Sequence, residues 1–189
     1  MTNKTISTIT DAKIGLAQGI ILGDPDTSAI DRISRSYPQV HVVSALLHNA
    51  GLLLGKNGYA AVNSQNTAFL RQFAPTMFCP PGIGRGDDIV AGLLTQRAMR
   101  DAGYQVHFGR PFCFQERNVH DLVKDLREEM WLTENINKIV NWLQVVSGTI
   151  YDEGSLGLAR QFYGFCDVLP LQTREAGLAW CEDIVAVTR

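Results

Sequence analysis

The segment Ile83-Gly84-Arg85-Gly86-Asp87-Asp88-Ile89-Val90-Ala91-Gly92 sets the tightest limit on how this chain folds. Two adjacent carboxylates sit on a glycine-rich turn. The apolar positions that follow, Ile89, Val90, Leu93, Leu94, Ala98 and Ala102, keep helical spacing. A helix N-terminus carries unpaired N–H groups and a partial positive charge, so it tolerates and orients acidic side chains. Asp87 or Asp88 therefore either caps the helix or serves a ligand, and the residues alone leave both readings open. Gly103 is a C-terminal stop, and the alternation Tyr104-Gln105-Val106-His107-Phe108 predicts a strand.

Around this turn–helix–strand unit the rest of the chain reads more loosely. Residues 1–13 are polar and read as an extended or frayed start. Thr27 to Tyr37 predicts a short helix with Ile30 and Ile33 inward, stopped by Pro38. Val40 to Leu47 reads as a strand or buried segment, Asn49 to Gly58 as a loop, and Phe69 to Phe73 as helical. Gly109-Arg110-Pro111 punctuates the strand, with Phe112-Cys113-Phe114 as a continuation of the sheet. Leu122, Val123, Leu126, Met130 and Trp131 form one helical stripe. A break is expected near Leu132, where Thr133 would cap a following helix. Two more helices are expected around Leu156–Cys166 and Arg174–Val187. Strands in the first two-thirds and helices in the last third give an α/β fold with a helical C-terminal third. It is read as one domain over 1–189, with an α/β part at 14–131 and a helical extension at 132–189.

Composition narrows the function classes. With 46% hydrophobic and 19% charged residues, the chain of 189 residues is long enough for one sizeable core. A formal net charge of −2 gives no reason to expect nucleic-acid binding. No apolar run of roughly 18 residues predicts a transmembrane helix, and the start of the chain lacks the blocks of a signal peptide. The four cysteines are far apart, with no Cys-x-x-Cys pair, which argues against a thiolate metal site and a disulfide framework. The expectation is a reduced, cytoplasmic protein that does not enter membranes.

Four groups of residues are candidates for chemistry. Asp87 and Asp88 lead: a carboxylate at a loop–helix junction acts as a general base if it reaches a substrate hydroxyl, and it also grips sugar hydroxyls. Arg85 either neutralises the pair, binds phosphate, or bridges to an aspartate. Asn66 and Thr67 offer donors and acceptors together, although a helix cap uses the same residues. Gln115, Arg117, Asn118 and His120 follow a strand end, where open α/β sheets bind ligands. His120, beside Asp121, reads as a metal ligand, an acid, or a cap or surface residue at a helix start. Asp24 and Asp26 flank Pro25 in a pattern that could hold a divalent metal and a diphosphate, or simply make a turn into a helix.

Taken in order, Gly23-Asp24-Pro25-Asp26, Asn66-Thr67-Ala68-Phe69, the Ile83–Gly92 block and the strand ending near Gln115-x-Arg117-Asn118 form a pattern. It resembles the later half of the reversibly glycosylated polypeptides, the UDP-arabinopyranose mutase family of GT-A-type glycosyltransferases. The likeness runs from about Ile21 to Trp131, and the Asp-Asp block is its specific part. It implies a partial GT-A-like mixed sheet flanked by helices and a nucleotide-sugar substrate. It implies Asp88 as general base, Asp87 as a sugar-binding group, and Asn66 and Thr67 lining the sugar pocket, with Mn2+ or Mg2+ as cofactor. The family's nucleotide-binding half, with its Asp-x-Asp motif, precedes the Gly-Asp-Pro block, and Gly23 stands too near the start of this sequence to leave room for it. The expected partners are therefore a chain carrying that half, or further copies of this one. The alternative is a sugar- or partner-binding module without transferase activity.

Overall fold

β1 (Ile14–Gly23) is the strand around which the sheet is built. In the computed structural model, which describes residues 11–35, 50–146 and 154–188, β1 pairs in parallel with β4 (Gln105–Gln115) along most of its length. β3 (Thr67–Phe69) lies antiparallel on its other side, with Leu16 opposite Phe69 and Gln18 opposite Thr67. The short β2 (Leu52–Leu53) runs antiparallel on the outer edge of β4, giving the order β2-β4-β1-β3. The architecture is thus α/β, a mixed sheet flanked by helices with a helical C-terminal part. Val40–Leu47 and the Pro38 stop lie outside the described residues.

The helix anticipated after the tandem aspartates is present as α2 (Asp87–Asp101). It is the central helix: every residue from Val90 to Met99 is buried. Such a helix must satisfy its inward polar groups. Thr95 shares a hydrogen bond with Thr76 at 2.8 Å. Gln96 exchanges hydrogen bonds with the backbone of Ala60 at 2.8 and 3.0 Å, and Arg97 donates to the carbonyl of Val146 at 2.9 Å. Gly92 lets the chain from Val62 lie directly on the helix, because a Cβ there would meet the Val62 carbonyl at 2.7 Å. This close approach carries Asn63 and Ser64 to the start of α2. The helix ends as the sequence predicts: Gly103 donates to Arg100 at 3.1 Å and Tyr104 to Met99 at 2.8 Å, the paired bonds of a Schellman stop.

Several local expectations give way to tertiary effects. Phe69 belongs to β3, and a 3-10 turn, Arg71–Thr76, follows it. β2 interrupts the loop expected over Asn49–Gly58. Gly109-Arg110-Pro111 does not end β4. The strand advances from Gly109 to Cys113 while β1 advances only from Gly19 to Ile21, so the punctuation is a bulge.

In α1 (Ala29–Ser34) the inward residues are Ala29 and Arg32, while Ile30 and Ile33 are 48% and 53% exposed. Arg32 is drawn in by Asp24, at 2.6 Å, and that ion pair sets the roll of the short helix. α3 (Leu122–Val145) runs unbroken past Leu132, through the expected division at 131/132. Thr133 donates to the Glu129 carbonyl within the helix rather than capping a new one. The buried positions of α3 are Asp125, Leu132, Ile139 and Leu143, while Val123 and Met130 are exposed, so the helix is rolled away from the stripe its apolar residues suggest.

The two C-terminal helices, α4 (Gly154–Phe165) and α5 (Leu171–Thr188), pack on each other and on the Arg71–Thr76 turn. Trp180 stacks on Phe78 with ring centroids 5.2 Å apart and donates to the Pro75 carbonyl at 3.1 Å. Thr173 donates to Pro81 at 2.8 Å. α5 therefore braces the Cys79-Pro80-Pro81-Gly82 loop that leads to the tandem aspartates. Among the described residues no helix is long and apolar enough to cross a membrane.

Candidate functional site

Asp87 and Asp88 open α2 on the wall of a cavity of about 480 Å³, within the range of roughly 300–1,000 Å³ typical of small-molecule sites. Neither occupies the N-cap position, which is Gly86. Asp87 Oδ1 accepts from the Asp88 backbone N–H at 2.8 Å. Asp88 turns instead to the neighbouring strap, where its Oδ2 accepts from both the backbone N–H and the hydroxyl of Ser64, at 2.9 and 3.0 Å. The two side chains thus have different environments despite adjacent positions. Burial, with the Asp88 charge adding to it, raises the pKa of Asp87 against the opposing hydrogen bond from the Asp88 N–H. The same surroundings act on Cys79, another lining residue: burial first, then the charges of Asp87 and Asp88, push its thiol up to about 11. Cys79 is therefore a poor nucleophile at neutral pH.

The raised pKa of Asp87 has a measurable consequence. A carboxyl raised in the folded state contributes stability that is fully present below its unfolded value of about 3.9 and is lost as the pH climbs through the folded value. Asp87→Asn is therefore expected to melt close to the parent at about pH 3 and roughly 1–3 °C higher at about pH 7. Differential scanning calorimetry at both pH values checks this, and an unchanged or lower Tm at neutral pH would mean that Asp87 is not desolvated.

Arg85 lines the same cavity but does not neutralise the tandem pair. Its guanidinium donates to both oxygens of Asp26 at 3.2 Å and to Asp125 at 3.1 Å, and lies 3.6 Å from Glu129. Arg117, whose side chain is only 5% exposed, also bonds Asp26 and stands 3.8 Å from Asp125. His120 Nδ1 pairs with Asp125 Oδ2 at 2.9 Å. Glu129 accepts from the backbone N–H of Ala29 at 2.8 Å, which anchors the start of α1. This ion-pair lattice ties the loop after β1, the turn before α2 and the segment after β4 to α3.

The structure therefore divides the sequence candidates. Arg85 and Asp26 reach the aspartate cavity with Asp87 and Asp88. Arg117 and His120 lie in the lattice that shapes its wall. Gln115 accepts from Gln65 at 2.5 Å, and its carbonyl accepts from Asp24 N–H at 2.9 Å, so it holds the strap and the β1 exit. Asn118 is exposed and makes no hydrogen bond among the described residues. Asn66 and Thr67 line a different cavity. Asp121, not His120, is the N-cap of α3, accepting from Val123 and Lys124 at 3.0 and 3.1 Å.

The metal candidates Asp24, Asp26 and His120 are each engaged by another side chain. Asp24 is held by Arg32, Asp26 by Arg85 and Arg117, and His120 by Asp125. Among the described residues no three His, Cys, Asp or Glu side chains group as metal ligands.

Residues that sequence reading did not single out complete the site: Ser64, Asn63, Asp125 and Glu129. Asp125, Glu129 and Leu132 share one face of α3 at helical spacing. That acidic continuation of an apolar face is the one signal in the sequence that marks it. No protein-family model matches this chain, and no curated protein matches it.

Proposed function

We propose that the Asp87–Asp88 cavity binds the hydroxyl groups of a sugar, and that the chain is the acceptor side of a glycosyltransferase-like enzyme acting on a nucleotide sugar. The observation that carries this reading is the unequal environment of the two aspartates. A half-buried carboxyl with a raised pKa is suited to take a proton from a hydroxyl. A carboxylate fixed by two donors from Ser64 is suited to hold a hydroxyl in place. This exchanges the roles implied by the family resemblance: Asp87 is the base and Asp88 the binding group. In the reaction, the acceptor hydroxyl oxygen bonds to the anomeric carbon, its proton passes to Asp87, and the bond to the nucleoside diphosphate breaks with the electron pair leaving on phosphate.

The charge balance favours the same assignment. Asp26, Asp87, Asp88 and Glu129 line the cavity against the single guanidinium of Arg85. Asp26 and Glu129 are engaged by arginines, but Asp87 and Asp88 make no ion pair among the described residues, and these two carboxylates repel a diphosphate and suit an uncharged polyhydroxyl. The diphosphate is then held elsewhere, by a partner chain in the simplest case. A second reading, a sugar-binding module without transferase activity, is favoured by one observation: Asp24 and Asp26, the carboxylates best placed by sequence to hold a metal diphosphate, are already neutralised by arginines.

Calorimetric titration with UDP-sugars, GDP-sugars and neutral methyl glycosides, with and without manganese, tests both. Neutral glycosides are expected to bind without manganese. Asp88→Asn should weaken them about tenfold, and Asp87→Asn should bind normally. Where transfer is measurable, Asp87→Asn should cost about 10²–10⁴ in rate. Unaltered glycoside affinity in Asp88→Asn would sink the sugar-binding assignment, and binding without transfer in the presence of every donor would favour the second reading.

A further inference from the structure

A second cavity, of about 470 Å³, lies where β1 and β4 fall out of register, and among the described residues it shares no lining residue with the aspartate cavity. Its position at the bulge matters, because bulges re-aim side chains and are enriched beside functional sites. Gly19, Gly51 and Gly109 form part of its lining. A Cβ at Gly19 would strike the Asn66 amide, and one at Gly51 or Gly109 would strike the His107 ring. Two flat groups therefore rest directly on bare backbone, with Ala17, Ala50 and Ala68 as small apolar neighbours.

The polar groups are one-sided. Asn66 Nδ2 is buried and has no hydrogen-bond partner, and a buried donor left unpaired is unfavourable until an acceptor reaches it. Arg110 emerges from the bulge, is exposed, and makes no ion pair among the described residues. Among the described residues no carboxylate lines this cavity.

We infer that this cavity is a second ligand site, for a planar ring that carries a carbonyl acceptor and an anionic group. The ring lies over His107 and the small-residue wall, the carbonyl accepts from Asn66 Nδ2 as that amide turns out from its packing against Gly19, and the anion pairs with Arg110. The inference does not depend on what the aspartate cavity binds. The anion is a carboxylate on the ring or a phosphate on a longer arm, and the two are separated by choice of probe.

The test is a titration of the full chain, followed by the backbone amide NMR signals of Gly19, Gly51 and Gly109. The probes are orotate for the carboxylate, uridine 5′-monophosphate for the phosphate, uracil for the ring alone and inorganic phosphate for the anion alone. Saturable shifts at the three glycines are expected with orotate, the nucleotide or both, with uracil and phosphate each at least about tenfold weaker. Arg110→Gln, at an exposed position, should weaken the effective probe about tenfold. Asn66→Ala should weaken it as well, and the Ser64 and Asp88 amides should stay still. No saturable shift at these glycines up to about 10 mM of either anionic ring, or equal affinity in Arg110→Gln, overturns the inference.

Discussion

Replacing Asp125 by alanine is expected to lower the stability of the fold by roughly 2–4 kcal/mol, a fall in Tm of roughly 4–15 °C. The side chain of Asp125 is only 8% exposed, and three cationic or protonatable groups surround it: Arg85 at 3.1 Å, His120 at 2.9 Å and Arg117 at 3.8 Å. Removing the carboxylate does not simply delete favourable contacts. It leaves two arginines turned toward each other in a partly desolvated space, the situation in which breaking one partner of an ion pair costs most. The network has little slack, since the Nε groups of both Arg85 and Arg117 are already buried without hydrogen bonds. Asp26 and Glu129 still engage Arg85, which keeps the loss below that of a fully isolated charge. Asp125→Asn, which keeps an acceptor and loses the charge, should fall between the two. Urea denaturation of the three proteins measures the series. A loss under about 1 kcal/mol for the alanine variant would mean that the lattice behaves as ordinary solvated surface pairs.

Asp125 also shows where sequence reading stops. Periodicity finds an inward face by its apolar residues, and on α3 that rule selects Leu122, Val123, Leu126, Met130 and Trp131, of which Val123 and Met130 are exposed and the other three only half-buried. The acid is buried because Arg85 and Arg117, from the turn before α2 and the segment after β4, neutralise it, and nothing local announces that convergence. Ile30 and Ile33 fail as inward residues for the same reason, because the Arg32–Asp24 pair rolls α1. By contrast, α2 and its stop were legible because their determinants are local: a glycine-rich turn, an apolar run and Gly103. The candidate site was legible at Asp87 and Asp88 and misassembled elsewhere. Asn66 and Thr67 lie only a few residues beyond Ser64, yet the strap separates them. Asn63 and Ser64 face the aspartate cavity, while Asn66 and Thr67 face the second one. The bulge in β4 that places Arg110 depends on register against β1, which no reading of Gly109-Arg110-Pro111 by itself supplies.

Gly84→Ala is expected to cost roughly 2–4 kcal/mol, while the comparable change Gly103→Ala costs about 1. Both glycines have positive φ, 69° and 77°, so both substitutions carry the steric cost of placing a Cβ in the left-handed region, about 1–2 kcal/mol. Their surroundings differ completely. Nothing lies within 4 Å of a Cβ added at Gly103, whereas at Gly84 it would run into the main-chain carbonyl of Glu128 in α3. A side chain could swing aside, but a carbonyl within a helix moves only if the helix or the turn moves. The turn holds Arg85 and then Asp87, so the same shift that destabilises the fold should loosen the Arg85–Asp125 pair and displace Asp88 from Ser64. Gly84→Ala should therefore lose ligand affinity at the aspartate cavity even at temperatures where it stays folded, while Gly103→Ala keeps it. Equal stability losses in the two variants would show that the close packing of the turn on α3 contributes nothing beyond the backbone conformation. A clear excess at Gly84 would tie the glycine in the Ile-Gly-Arg-Gly-Asp-Asp segment to a helix-against-turn contact that holds the carboxylates where they can act.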